Sequence, residues 1–167
     1  KVLSRLNAEG LLPEMVQIGN ETNCGMMFTN VPPGFPNLNV CQGNWPNFGR
    51  VVNAGIKAVR DIDAITGKNT IIALHVADPN NIEWWLRDAI SLGRVTDFEV
   101  MGFSYYHIWH NTVAFNDLQA LIARLKRTYN RDFMVLETAY PFTTSNNDSY
   151  SNLYFAQPPL QGFPYTV

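Results

Sequence analysis

A chain of 167 residues, 46% hydrophobic and 16% charged, has the size and composition of one soluble globular domain or less, with a sizeable core. Its 12 Lys and Arg against 14 Asp and Glu give a formal net charge of -2 with no basic stripe, which argues against a nucleic-acid partner. No stretch reaches the ~18 consecutive apolar residues of a membrane span, and the first residues lack a signal-peptide arrangement, so any targeting sequence is expected outside this chain.

In chain order, Val2, Leu3 and Leu6 on one side of residues 1–8 predict the end of a helix, with Gly10 as its stop signal. Residues 15–20 follow as an apolar strand. A long loop over about residues 21–46 then carries Gly25, Pro32, Pro33, Gly34, Pro36 and Gly43; structureless loops beyond ~12–15 residues are usually functional. Phe48, Val52, Ile56, Val59 and Ile62 recur at helical spacing over residues 47–65, closed by Gly67. A near-continuous apolar strand over 70–77, a short helix over 81–92 and a strand over 97–105 come next, then an aromatic loop over 106–115. Leu118, Leu121, Ile122, Leu125 and Tyr129 predict an amphipathic helix over 116–129, with Asn116 or Asp117 as its cap. The last strand spans 132–137, and the remainder reads as loop.

Strands that alternate with helices, each strand an apolar run, indicate an α/β chain with a parallel sheet covered by helices. Doubly wound sheets and (β/α)8 barrels both fit. Candidate functional residues favour the barrel: Glu21, His75, Tyr105 and Glu137 all fall at C-terminal strand ends, where barrel enzymes gather their chemistry. No glycine-rich phosphate-binding turn follows any strand, which weakens the doubly wound alternative. In MVQIGNE and FMVLETAY a β-prone run delivers Glu21 and Glu137 to the point where strand becomes loop. Glutamate is rarely buried unless paired, and two at strand ends suggest carboxylates facing one pocket.

Four ordered motifs sharpen this reading: MVQIGNETNCGM (15–26), VVNAGIKAVRD (51–61), DFEVMGFSYYHIWH (97–110) and VLETAYPFT (135–143). Together they resemble the endo-β-1,4-galactanases of glycoside hydrolase family 53, within the clan of retaining (β/α)8 glycosidases, over most of the chain. The resemblance implies that Glu21 is the acid/base, preceded by Asn20 as a contact to the sugar 2-hydroxyl, and that Glu137 is the nucleophile. It also implies an aromatic hydroxyl that orients the nucleophile, a role open to Tyr105 or Tyr106. Retaining cleavage uses one carboxyl group to protonate the departing oxygen and a second, ~5–5.5 Å away, to attack the anomeric carbon. Glu137 must therefore enter the reaction ionised and Glu21 protonated. The implied substrate is β-1,4-galactan or type I arabinogalactan, with no cofactor required, which places the protein at the cell surface, in the periplasm or outside the cell.

Each candidate also has a plainer reading. His75 ends an apolar strand, where it either lines the sugar site or is a hydrogen-bonded core histidine. His107 and His110 could join His75 in a zinc site, but no acidic partner at ligand spacing accompanies them. Trp109, Tyr105 and Tyr106 offer flat faces for stacking on galactose, or pack between loops; Trp84 and Trp85, within a helix, suit packing. Asn146, Asn147 and Asp148 offer oxygen ligands where some bacterial relatives hold structural calcium, and Asn147 also begins a glycosylation sequon. Cys24 and Cys41 lack a metal spacing, and whether they form a disulfide is open.

The chain counts four strands, matching strands four to seven of the eight-stranded barrel. It is expected to be part of a single catalytic domain whose early strands and last strand lie elsewhere. Alone it is expected to be inactive or nearly so, with open edges that favour self-association. Two other readings fit the motifs: a retaining glycosidase of the same clan acting on another β-linked polysaccharide, and a non-catalytic carbohydrate-binding relative.

Overall fold

The computed structural model describes residues 1–29, 31–141, 143, 145, 150 and 157–164. Among these residues four helices, α1 (Val2–Ala8), α2 (Trp45–Thr66), α3 (Ile82–Ser91) and α4 (Phe115–Tyr129), alternate with four strands, β1 (Met15–Ile18), β2 (Ile71–Ala77), β3 (Val100–Ser104) and β4 (Asp132–Glu137). Single 3-10 turns at Val40–Gln42 and Pro79–Asn81 lead into α2 and α3. The sheet is parallel throughout in the order β1-β2-β3-β4. Right-handed crossovers between strands that are neighbours in both chain and sheet put every helix on one face. A doubly wound sheet needs a reversal of strand order, and none occurs here, so the arrangement is an arc of a (β/α)8 barrel.

Side-chain alternation along the strands separates two faces. Ile72, Leu74, Val76, Met101 and Phe103 are buried against the helical stripe Phe48, Val52, Ile56 and Val59 and against Ile82, Trp85, Leu86 and Ala89 of α3. Trp45, Phe48 and Trp85 meet edge-on, each pair with ring centroids 5.8 Å apart, a geometry that suits the aromatic quadrupole. Trp85 is thus a core residue, as its helical position predicted, with Trp84 packed at the margin. Val135 lies on the helix-facing side but stays 41% exposed, and Met134 on the opposite side is 43% exposed. Among the described residues, no helix after β4 covers the first.

The N-terminal end of the sheet is held by charge. Arg60 reaches Asp97 (2.7 Å), Glu99 (2.6 Å) and Asp63 (3.5 Å), and Asp63 in turn accepts hydrogen bonds from the Thr70 amide and hydroxyl. Burial would push the Asp63 carboxyl up, but the bonds from Thr70 and the Arg60 guanidinium outweigh it and hold it below its usual value. Glu99 also accepts the amide of Ile72, which ties this cluster to the start of β2.

Two local expectations are corrected. Helix α4 starts at Phe115, one residue early, with extended Ala114 at its N-cap and no side-chain cap bond. Asn116 and Asp117 are therefore already inside the first turn, where Asp117 faces the positive end of the helix dipole rather than capping it. The strand predicted over 97–105 is shorter, because Asp97 and Glu99 are drawn into the Arg60 cluster and the regular strand begins only at Val100. The cysteines, left open by the sequence, form a Cys24–Cys41 disulfide.

Helix α2 passes so close to the turn after α3 that a Cβ on Gly49 would lie 1.9 Å from the carbonyl oxygen of Gly93. Backbone cannot yield as a flexible side chain would, so Gly49→Ala in the full-length protein should lower unfolding free energy by ~1–3 kcal/mol. Chemical denaturation checks this; an unchanged midpoint would mean that α2 shifts freely. The 167-residue chain on its own should elute as a mixture of associated species in size-exclusion chromatography with light scattering, whereas a clean monomer would mean that the bare edges are tolerated.

Candidate active site

The loop that leaves β1 is fastened to the C-terminal end of β2. Gly19 (φ 82°) turns the chain, and Glu21 itself takes a left-handed conformation (φ 45°) that is uncommon for a residue with a side chain. Such strain persists when the surroundings over-determine it. The amide and the hydroxyl of Thr22 both donate to the His75 carbonyl at 2.9 Å. The side-chain amide of Asn23 pairs with Ala77 in both directions, donating to its carbonyl (2.8 Å) and accepting from its N–H (2.7 Å). The Trp85 indole donates to the Thr22 carbonyl at 2.8 Å, which joins the aromatic core to this loop. Beyond it, the Cys24–Cys41 disulfide closes the loop, and Gly25 (φ 105°) packs against the Leu38 carbonyl where a Cβ would be 2.0 Å away.

These constraints bring Glu21 and Glu137 together at the C-terminal end of the sheet. One oxygen of each carboxylate and a ring nitrogen of His75 lie within 4.8 Å of one another. Ser104 Oγ donates to Glu21 Oε1 at 2.6 Å, and Tyr106 donates from its hydroxyl to Glu137 Oε2 at 3.4 Å. His75 Nδ1 is 3.8 Å from Glu137 Oε1. Its ring also touches Gln17 Nε2 (3.1 Å), Asn20 Oδ1 (3.2 Å) and Ser104 Oγ (3.0 Å), and accepts from the Glu21 amide (3.3 Å). Burial pushes the His75 ring below its usual pKa, opposed by the nearby Glu137 and Glu21 charges. Burial, the Glu137 charge and the hydrogen bond to it push the Tyr106 phenol up, so it stays a donor.

Of the two tyrosines left open by the sequence, Tyr106 reaches Glu137, whereas the hydroxyl of Tyr105 donates to the Val113 carbonyl and its ring is buried. The two tyrosines follow β3 directly and continue its alternation, with Ser104 and Tyr106 turned to the carboxylates and Tyr105 turned into the core. Of the two readings open for His75, the structure has the hydrogen-bonded core histidine: it is wholly buried beneath Asn20 and Glu21 and holds them from below. Asn20 is exposed beside Glu21. Trp109 is 55% exposed and tilts against Tyr106 with centroids 5.5 Å apart, leaving a broad ring surface open. His110 accepts the amide of Tyr106 and His107 packs against Tyr140, so neither joins His75. Among the described residues Glu21, His75 and Glu137 form the grouping with metal-ligating chemistry, but both ring nitrogens of His75 already have hydrogen-bond partners. The calcium candidates Asn146, Asn147 and Asp148 lie outside the described residues.

Sequence reasoning missed Ser104, Gln17 and Asn23. Gln17 and Ser104 are the polar residues inside otherwise apolar strands and could have been flagged on that ground. Asn23 carries no such signal, because its pairing with Ala77 joins residues 54 positions apart.

A buried ring that must stay neutral makes stability depend on pH. The folded-state pKa of His75 is below its unfolded value, so this contribution is complete above about pH 6.5 and is lost as pH falls toward the folded value. In His75→Gln the decline in unfolding free energy below that pH should be shallower than in the unsubstituted protein; denaturant titrations at a series of pH values measure both slopes, and equal slopes would place the titration elsewhere.

The sequence pattern of Glycosyl hydrolase family 53 matches residues 1–167. The arabinogalactan endo-beta-1,4-galactanase of Cellvibrio japonicus is 38% identical over 153 residues, covering 90% of this chain and 38% of the relative. The endo-beta-1,4-galactanase of Bacillus subtilis is 29% identical over 167 residues, which is 99% of this chain and 34% of that protein. Among solved structures, the family 53 catalytic domain of Ignisphaera aggregans superposes with a TM-score of 0.76 at 29% identity, covering 93% of this chain and 39% of that one. The chain thus spans little more than a third of the length of these relatives. With a parallel arc of four strands and a match along all its residues, it belongs to glycosyl hydrolase family 53 and forms part of a (β/α)8 barrel.

Proposed function

We propose that the protein carrying this chain is an endo-acting retaining glycosidase that hydrolyses β-1,4-galactosidic bonds in galactan or type I arabinogalactan. The observation that carries this reading is the convergence of Glu21 and Glu137, one oxygen of each within 4.8 Å, at the C-terminal ends of β1 and β4. Such a close approach of the nearest oxygens supports direct attack by one carboxylate, since the carboxyl groups of a retaining pair stand ~5–5.5 Å apart.

Glu137 attacks the anomeric carbon while Glu21 gives its proton to the departing glycosidic oxygen, and the galactosyl unit is held as an ester on Glu137. Glu21, now a carboxylate, takes a proton from water as the water attacks the same carbon, and Glu137 leaves. Tyr106 aims the nucleophile through its hydrogen bond, Asn20 reaches the sugar 2-hydroxyl from beside Glu21, and Trp109 offers a stacking face. A polymer of this kind is met at the cell surface, in the periplasm or outside the cell.

In the full-length protein, Glu21→Gln should lower the rate on galactan by ~10²–10⁴-fold while leaving oligosaccharide affinity nearly intact, and Glu137→Ala should abolish turnover. NMR of the first product should show the β-anomer. Release of the α-anomer would overturn retention, unchanged turnover in Glu21→Gln would overturn the acid/base assignment, and a polysaccharide panel with another β-linked polymer as best substrate would reassign specificity.

A further inference from the structure

We propose that His75 and Ser104 are positioning residues that close a one-way ring of hydrogen bonds, beginning and ending on Glu21, which decides the carboxyl oxygen that delivers the proton. The inference rests on the acid/base reading of Glu21 and deepens it.

The direction of the ring follows from the donor that cannot turn round. A backbone N–H only donates, and that of Glu21 points at His75 Nδ1 from 3.3 Å. Gln17 Nε2, at 3.1 Å, presents a second donor to the same nitrogen. Nδ1 is therefore the bare nitrogen of a neutral ring, and the ring proton sits on Nε2. From there it is donated to Ser104 Oγ, 3.0 Å away. Serine has one hydroxyl proton, and with its oxygen already accepting from the ring, that proton goes to Glu21 Oε1 at 2.6 Å. Gln17 gives one amide proton to the Gly19 carbonyl at 2.7 Å and has one left, for Nδ1 or for Asn20 Oδ1 at 3.3 Å; Asn20 Oδ1, itself 3.2 Å from Nδ1, belongs to an amide that can turn, so the backbone donor of Glu21 sets the direction.

His75 and Ser104 are both wholly buried, so water does not compete for the bond between them. A second proton on the ring would leave the Glu21 amide facing a donor. Burial of the ring works against that protonation, while Glu21 and Glu137, the charged groups that face it, work for it. With Oε1 engaged by Ser104, Oε2 has no partner among the described residues and is the oxygen available to the glycosidic bond. The ring thus fixes the main chain and the carboxyl group of the same residue, so the proton is presented in one direction to each incoming linkage.

The experiment uses the full-length protein. Nitrogen-15 NMR should report the His75 ring as the neutral tautomer protonated on Nε2; protonation on Nδ1 would overturn the proposal without any variant. In kinetics, Ser104→Ala should lower kcat/KM on galactan by ~10–100-fold, and on a 2,4-dinitrophenyl β-galactobioside, whose leaving group needs no proton, by far less. Ser104→Thr, which restores the hydroxyl, should recover most of the loss. Equal losses on the two substrates, or no recovery with threonine, would reduce Ser104 to packing and overturn the proposal. Glu21→Gln is run beside these variants: if it lacks the same leaving-group dependence, the acid/base reading fails, and if it has it while Ser104→Ala does not, only the ring fails.

Discussion

The structure depends most on how the C-terminal end of β2 is finished. A parallel strand that stops beside a loop leaves carbonyls and amides that must find partners. Here the chain leaving β1 supplies them, with Thr22 on the His75 carbonyl and Asn23 pairing Ala77 as though it were one more strand residue. Because those partners are the residues directly after Glu21, satisfying β2 also sets the backbone from which Glu21 projects. The buried ring of His75 makes the second demand: a polar side chain out of water needs its bonds, and meeting them draws Gln17, Asn20, Ser104 and the Glu21 amide together.

The two ends of the sheet use opposite means. At the N-terminal end, charges are neutralised by one another: Arg60 spans Asp63, Asp97 and Glu99, and its guanidinium is pushed further up by Asp97 and Glu99 despite the opposing effect of burial. At the C-terminal end two carboxylates face each other with neutral donors around them, Ser104 on one and Tyr106 on the other, and no Lys or Arg forms an ion pair with either among the described residues. Carboxylates that are not held by a fixed cation can change protonation and bonding during a reaction. The division matches barrels in general, where the lower face carries stability and the upper face chemistry.

The core links these ends. Trp85 fills the space between α2 and α3 with its ring and sends its indole N–H to the Thr22 carbonyl, so the packing of the helices bears directly on the loop behind Glu21. The disulfide further along ties the same loop at Cys24 to Cys41, beside the bond from the Val40 amide to the Cys24 carbonyl. Much of what surrounds the carboxylates is thus held by contacts that carry no charge. Where the described arc ends, at β1 and β4, apolar residues such as Met134 stay open, as expected of an arc that other strands of the barrel continue.

By itself the sequence determined the element order, the parallel sheet and the position of two glutamates at or just past strand ends, because each is written in local pattern: apolar runs for strands, the 3.6-residue stripe for helices, and a carboxylate at the end of an apolar run. It determined Trp85 as core for the same reason. Tertiary structure alone decided between Tyr105 and Tyr106, since neighbours in sequence face opposite ways and only the placement of Glu137 tells which is toward the pocket. It likewise decided that His75 supports the site from within, that Ser104 and Asn23 belong to it, and that Cys24 meets Cys41. Each of these is a contact between residues far apart in the chain, and the energy of such a contact resides in a partner that local pattern does not name.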